Sequence, residues 1–264
     1  MNKTANITVL GCGNSTGVPA ICNYWGACDP NEPKNIRTRC SIAVQTDETT
    51  LIIDTGPNFR EQINRENITR IDGILYTHAH SDHVNGIDEL RVISRKSDKL
   101  VKIYGNKGTL EDLKHRFNYM FKGGEIDLYP PILDPKELNK DHFGRVQSFK
   151  DLKFTPFIQN HGTIDSVGYR FGDFAYSVDI WDIDNTAIKT LSGIKTWLVD
   201  CAAYKSPNQV HANLEKIYAF NEQIKAKTVY LTSLSLEMDY QTLCNELPKD
   251  YKPAYDGLKL ECLY

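Results

Sequence analysis

Between Ile74 and Arg91 the chain reads ILYTHAHSDHVNGIDELR, and the centre of that stretch, His78-Ala79-His80-Ser81-Asp82-His83, constrains everything around it. Three imidazoles and a carboxylate within six residues are the ligand types that borderline and hard divalent cations take, so the segment is a candidate metal site. His78 and His80 are two residues apart, and their rings converge only from an extended or looped backbone. Ahead of the cluster, the apolar and β-branched run Ile71 to Tyr76 predicts a buried strand that ends where the ligand loop begins. Helical spacing is expected after Val84, with Gly86 allowing a close turn and Asp88 and Glu89 near the positive end of a new helix. Strand, ligand loop and helix is the local reading, the placement α/β folds use for chemistry.

T-H-x-H-x-D-H after a hydrophobic strand resembles the signature of the metallo-β-lactamase fold. Further matches follow in that family's chain order: Asp54 in LIIDTG, His161 in QNHG and Asp179 in AYSVDI. The phrases LGCGNSTGVP, WGACDP, RCSIAV, DTGPNFREQ and AYDGL resemble the branch containing the cyclic-phosphate phosphodiesterase of the carbon-phosphorus lyase pathway. The resemblance implies an α/β (α+β) fold, a four-layer αββα sandwich. It implies one metal held by His78, His80 and His161, a second begun by Asp82 and His83, and Asp179 bridging both. Zinc or manganese is the implied cofactor, one or two ions per chain. Asp54 would support catalysis by hydrogen-bonding the ligand loop, and His211 in VHANLE would protonate the leaving group. Asn58 and Arg60 are candidates for facing substrate and equally for opening a helix. The family's usual histidine at the last strand exit is missing from Thr232-Ser233-Leu234-Ser235-Leu236. Serine is a poor ligand beside imidazole or carboxylate, so the second site is expected to be weaker.

With 264 residues, 41% of them apolar and 10% aromatic, and no Pro, Gly or Ser linker, one domain over 1–264 is expected, with a core large enough to fold without a disulfide. A net charge near −3 supplies no general basic surface, so nucleic acid is not the expected partner; a small phosphate ester is. A homodimer is left open. MNKTANITVLGCG lacks the apolar core of a signal peptide and no later stretch approaches a membrane span, giving a cytoplasmic expectation with no membrane partner. Seven scattered cysteines read as reduced thiols.

Along the chain, Gly11, Gly13 and Gly17 imitate a dinucleotide loop, but Val18-Pro19 stands where the phosphate-binding helix would continue. The glycines more readily serve close backbone approach near the metal pocket. Cys22, Cys28 and Cys40 lack paired CxxC spacing, and buried free thiols are the reading. Ser41 to Val44 with Leu51 to Asp54, and Val167 to Phe171 with Phe174 to Val178, read as hairpins. Lys107 to Tyr119 and His211 to Asn221 read as helices, and residues 122–135, KGGEIDLYPPILDP, as an irregular loop over the site or an ordinary connection. The functional expectation is a metal-dependent phosphodiesterase for a small or cyclic ester. The alternatives are a transfer-RNA 3′-end nuclease, which needs a basic patch that composition does not supply, and a weakly active metal-binding protein.

Overall fold

The computed structural model of the chain describes residues 3–123, 130–206 and 208–264. The strands are β1 (Thr4–Gly11), β2 (Ser41–Gln45), β3 (Thr50–Ile53), β4 (Gly73–Leu75), β5 (Val101–Gly105), β6 (Leu133–Glu137), β7 (Gln147–Phe149), β8 (Leu152–His161), β9 (Ile164–Phe171), β10 (Phe174–Ser177), β11 (Thr196–Asp200), β12 (Thr228–Thr232), β13 (Tyr251–Pro253) and β14 (Lys259–Leu263). They form two seven-stranded sheets, ordered β14-β1-β2-β3-β4-β5-β6 and β13-β12-β11-β10-β9-β8-β7. In each sheet one half pairs antiparallel and the other parallel, the change falling at β3 in the first and β10 in the second. The two halves of the chain thus repeat one architecture although their sequences do not advertise it.

Alternation along the strands sorts the layers. Leu51 and Ile53 of β3 face the core between the sheets, with Ile7, Val9, Ile42 and Val44 from one side and Phe154, Phe157, Tyr169 and Tyr176 from the other. Ile52, between them in sequence, points outward beside Ala43, Ile74 and Ile103. Helices α1 (Phe59–Arg65), α2 (Ser81–Val84), α3 (Leu90–Ser97), α4 (Lys107–Arg116) and α5 (Asn118–Lys122) connect the parallel strands of the first sheet. Phe59, Val84, Leu90, Leu113 and Met120 from them cover that outer face. Helices α6 (Asn185–Leu191), α7 (Leu214–Ile224) and α8 (Tyr240–Glu246) do the same for the second sheet. The layering is the αββα sandwich. Four helix starts are fixed by side chains of the preceding residue: Asn106, Asp184, Asn213 and Asp239 each accept from a backbone N–H in the first turn.

Several boundaries differ from the sequence reading. The helix expected from Lys107 to Tyr119 breaks at Phe117, which leaves helical dihedrals (φ −119°, ψ 37°) and packs against the outer core. Within the stretch expected as a loop over 122–135, residues 124–129 lie outside the described residues, whereas Leu133 to Glu137 is strand β6. Pro135 is tolerated there because β6 is the last strand of its sheet. The helix expected from His211 begins at Leu214, with Asn213 capping it, and His211 stands in the preceding loop. Among the described residues no helix is long and apolar enough to cross a membrane.

Gly11 sits at a register shift between β1 and β2, and a Cβ there would overlap the Arg39 carbonyl and the Gln62 amide. Both atoms are held, since Gln62 Nε2 donates to Arg39 O and to Thr38 Oγ1, each at 2.8 Å. Gly11→Ala should therefore destabilise the fold by about 1–3 kcal/mol, read as a lowered midpoint in thermal denaturation. An unchanged midpoint would show that the β1–β2 crossing relaxes freely.

Candidate metal centre

Strand ends from both sheets meet at one place. His78, His80, Asp82 and His83 follow β4, Asp54 follows β3, His161 closes β8, Asp179 follows β10 and Asp200 closes β11. His78, His80, His161 and Asp179 form one group and Asp82, His83 and Asp179 a second, the ligand atoms of each lying within 4.8 Å of one another. Asp179 belongs to both. Asp54 (φ 65°), Asp179 (φ 50°) and Ser233 (φ 60°) leave their strands in the left-handed region, which turns each abruptly into the centre. The ligand segment is helical from Ser81 rather than after Val84, so α2 carries Asp82 and His83 and His80 precedes its first turn.

Hydrogen bonds fix the imidazole tautomers. Thr77 Oγ1 donates to Asp54 Oδ2 at 2.8 Å, which leaves its lone pair to receive Nδ1–H of His78 at 3.0 Å. His161 Nδ1–H donates to the Val210 carbonyl at 2.7 Å, and His83 Nδ1–H to Asp54 Oδ2 at 2.7 Å. The remaining Nε2 atoms of these three rings face inward, 3.3 Å (His78), 3.4 Å (His161) and 3.5 Å (His83) from Asp179 Oδ2. His80, exposed at the mouth, brings Nδ1 to 3.0 Å from His78 Nε2. Inward ring nitrogens around a buried carboxylate are what a divalent cation needs, so the donor set fits one. Three imidazoles with a carboxylate in the first group, and two carboxylates with an imidazole in the second, are donors that divalent cations accept.

Charge is heavily redistributed. Burial and the neighbouring His83 push His78 down to about 4, so its ring is neutral at pH 7. Burial disfavours charge on His83 too, yet Asp179, Asp54 and Asp82 hold it well above the ordinary histidine value. Asp179, despite burial, is held well below the usual carboxylate range by His83 and His78. Beside this centre His211 Nδ1–H donates to Asp200 Oδ2 at 2.7 Å, and Asp179, Asp200 and His211 make a third close group. Burial opposes the charge, but Asp200 raises His211 to about 9.

The structure thus gathers His78, His80, Asp82, His83, His161, Asp179, Asp54 and His211. It does not bring Arg60 to them: that side chain is 76% exposed and lies 3.9 Å from Glu89. Asn58 Oδ1 accepts from Arg39 Nη1 at 3.1 Å, so it positions a guanidinium rather than standing free. Arg39 packs against Gly56, which also abuts the Asp82 backbone. Asp200 escaped the sequence reading although the strand end Leu198-Val199-Asp200 repeats the pattern that places Asp54. Of the three clustered cysteines, Cys28 and Cys40 are buried, whereas Cys22 is exposed with φ 62°.

Residues 49–232 match the beta-lactamase superfamily domain. The chain belongs to the beta-lactamase superfamily. A crystal structure of a diphosphatase from the PhnP family superposes with a TM-score of 0.89 at 34% identity, covering 100% of this chain and 99% of that one, which supports the PhnP-like branch. An octanoyltransferase of Porphyromonas gingivalis is 30% identical over 255 residues, 95% of this chain and 50% of that protein. Exodeoxyribonuclease YycJ of Bacillus anthracis is 31% identical over 135 residues, 49% of this chain and 44% of that protein. The chain spans about half the length of these two curated relatives. Its fold is the metallo-β-lactamase fold, and its His/Asp groups could hold metal ions.

Relative to the ligand pattern of this superfamily, the exit of β12 carries Ser233, 3% exposed, where histidine is expected. The Cys40 thiol lies 3.4 Å from Thr232 Oγ1, donates to Gly13 O at 3.2 Å and stands close to Ser233, His83 and Asp179, beside the gap. Changing His78, His80 or His161 to Ala should remove most of the tightly bound metal, checked by metal content per chain. Full stoichiometry in all three would overturn the ligand assignment. Ser233→His should tighten the second site about tenfold or more, because histidine is among the residues that accept a left-handed backbone. Calorimetric titration of metal-depleted protein, wild type against Ser233→His, reads this directly. Two equally tight sites in the wild type would show that another residue already completes the second set.

Proposed function

We propose that the chain hydrolyses a phosphodiester of small or cyclic form at this centre. What supports the reading is the shared carboxylate Asp179, common to three adjacent His/Asp groups, the last of which ends in a protonated imidazole. Divalent ions held by His78, His80, His161 and Asp179 and by Asp82, His83 and Asp179 would supply a water acidified to near-neutral pH and positive charge for phosphate oxygens. His211, its Nδ1–H held by Asp200, keeps Nε2–H for the leaving side. As the oxygen of a water that has already lost one proton to solvent bonds to phosphorus and the ester P–O bond breaks, the departing alkoxide takes the Nε2 proton, leaving His211 neutral. Asp54 restrains His83 and Thr77 throughout. Beside His78 and His80 opens a cavity of about 680 Å³ with apolar walls from Leu138, Phe143, Ile158 and Ile164 and polar groups that include Asn106, Lys107, Asp112, Glu137 and Asp165. That volume suits the organic part of a small ester.

A second reading, a nuclease, is favoured by the likeness to the exodeoxyribonuclease. The octanoyltransferase is about twice this length, and acyl transfer is not drawn across from it. A protein whose second metal site is too incomplete for turnover is the remaining alternative. Turnover of bis(p-nitrophenyl) phosphate by metal-depleted protein reloaded with zinc or manganese should exceed that of the monoester. Preference for the monoester, or no turnover with either metal, would overturn the phosphodiesterase reading.

His211→Ala should lower turnover by about 10²–10⁴-fold while leaving metal content intact. Because the folded pKa of His211 is raised, to about 9, its proton is present below that pH and lost as pH rises through it. Activity should decline on the alkaline side near that value. In Asp200→Asn the alkaline limb should move toward neutral pH. Loss of metal in His211→Ala, with kinetics restored at saturating metal, would make His211 a ligand instead.

A further inference from the structure

On the second sheet, away from the metal ligands, β8, β9, α6 and the 143–146 segment enclose a groove of about 610 Å³. Its cationic side chains are Arg145, Lys153, Arg170 and Lys189, its hydroxyls Thr155, Thr186, Thr190 and Tyr264, and among the described residues no acidic side chain lines it. In a chain of net charge −3 this is a marked local reversal. Among the described residues, none of the four cations has a carboxylate within ion-pair distance. Arg170 is pinned instead by carbonyls: Nε donates to Gly172 O at 2.7 Å and Nη1 to Ser192 O at 2.9 Å. Burial pushes its pKa down, partly opposed by the charge of Asp173, so the guanidinium is taken partly out of water.

Arg145, Lys153 and Lys189 are exposed and share one groove with the part-buried Arg170, so their positive potentials add there and favour an anion. We propose that the groove is a second anion site, separate from the metal centre, that takes phosphate groups. Arg170 supplies a fixed guanidinium, Lys153, Lys189 and Arg145 close around the phosphate oxygens, and the threonine hydroxyls donate between them. Phe143 is a wall of both this groove and the cavity beside His78 and His80. A free nucleotide and an extended strand both carry such phosphates; the chemistry recognised is the same.

The test is equilibrium binding of two probes to the full metal-loaded chain at low salt: a nucleoside triphosphate and a fluorescent single-stranded oligothymidylate. At least one should bind, and Lys153→Glu/Lys189→Glu should weaken it about tenfold or more. For the oligothymidylate, the slope of log affinity against log salt should become shallower by about 0.7 for each phosphate no longer neutralised. The same double reversal at Lys96 and Lys99, on the opposite side of the molecule, should change little. Tighter triphosphate binding makes the natural occupant a free nucleotide, and tighter oligothymidylate binding makes it a strand. Bis(p-nitrophenyl) phosphate turnover should be untouched by Lys153→Glu/Lys189→Glu, so this proposal and the phosphodiesterase reading fail separately. Failure of both probes to bind, or equal weakening by the two double reversals, would overturn the anion site.

Discussion

Thr77 is the point on which the metal centre hangs. Its N–H donates to Asp54 Oδ1 at 2.8 Å, its hydroxyl donates to Asp54 Oδ2, and its carbonyl accepts from Val167 N of the facing sheet at 2.9 Å. The residue ahead of the histidines is therefore tied to β3 on one side and to β9 on the other. Tyr169 Oη reinforces the link by donating to the Tyr76 carbonyl at 2.7 Å. Because Asp54 also receives His83 Nδ1–H, one buried carboxylate sets the positions of ligands before and after the turn into α2. A lone buried carboxylate is costly, but three donors make this one a rigid fitting.

Much of this was written in residue types. The six-residue cluster after an apolar strand disclosed the centre, since four ligand-type side chains in one loop have few other uses. Asp54 and Asp179 were legible through the family resemblance, each at the end of an expected strand, and the hairpins through period-two alternation. What stayed hidden depended on distance through space. Asp200 looks like any strand-end aspartate until His211, eleven residues on, folds back to donate to it. Arg60 draws notice for its place after DTGPN, yet α1 turns it to solvent, while Arg39, from another segment, packs against Gly56 and donates to Asn58. Helix starts moved by a few residues because capping, at Asn213 for example, outweighs where an apolar period begins.

The same limit applies to charge. A net value of −3 describes the sum and says nothing about arrangement. Acids gather where the strands end, Asp54, Asp82, Asp179 and Asp200 within one centre, while Arg145, Lys153, Arg170 and Lys189 line a groove elsewhere. Separating the signs in this way lets one small protein hold cations in one cavity and attract anions to its surroundings.

The left-handed exits at Asp54, Asp179 and Ser233 have a further consequence for how this chain tolerates heat and change. Each holds a residue with a side chain in a conformation costing roughly 1 kcal/mol or more, so part of the fold's backbone strain sits where the candidate ligands converge. Cation loading offsets that cost, because a ligand that binds only the folded chain raises its stability. Selection for thermal endurance in metal-poor conditions would drift toward glycine at these positions. At Asp54 and Asp179 that drift removes the carboxylates themselves, whereas Ser233 contributes little to either metal set. Position 233 is thus the one strand exit of the three where endurance can be gained without dismantling the centre.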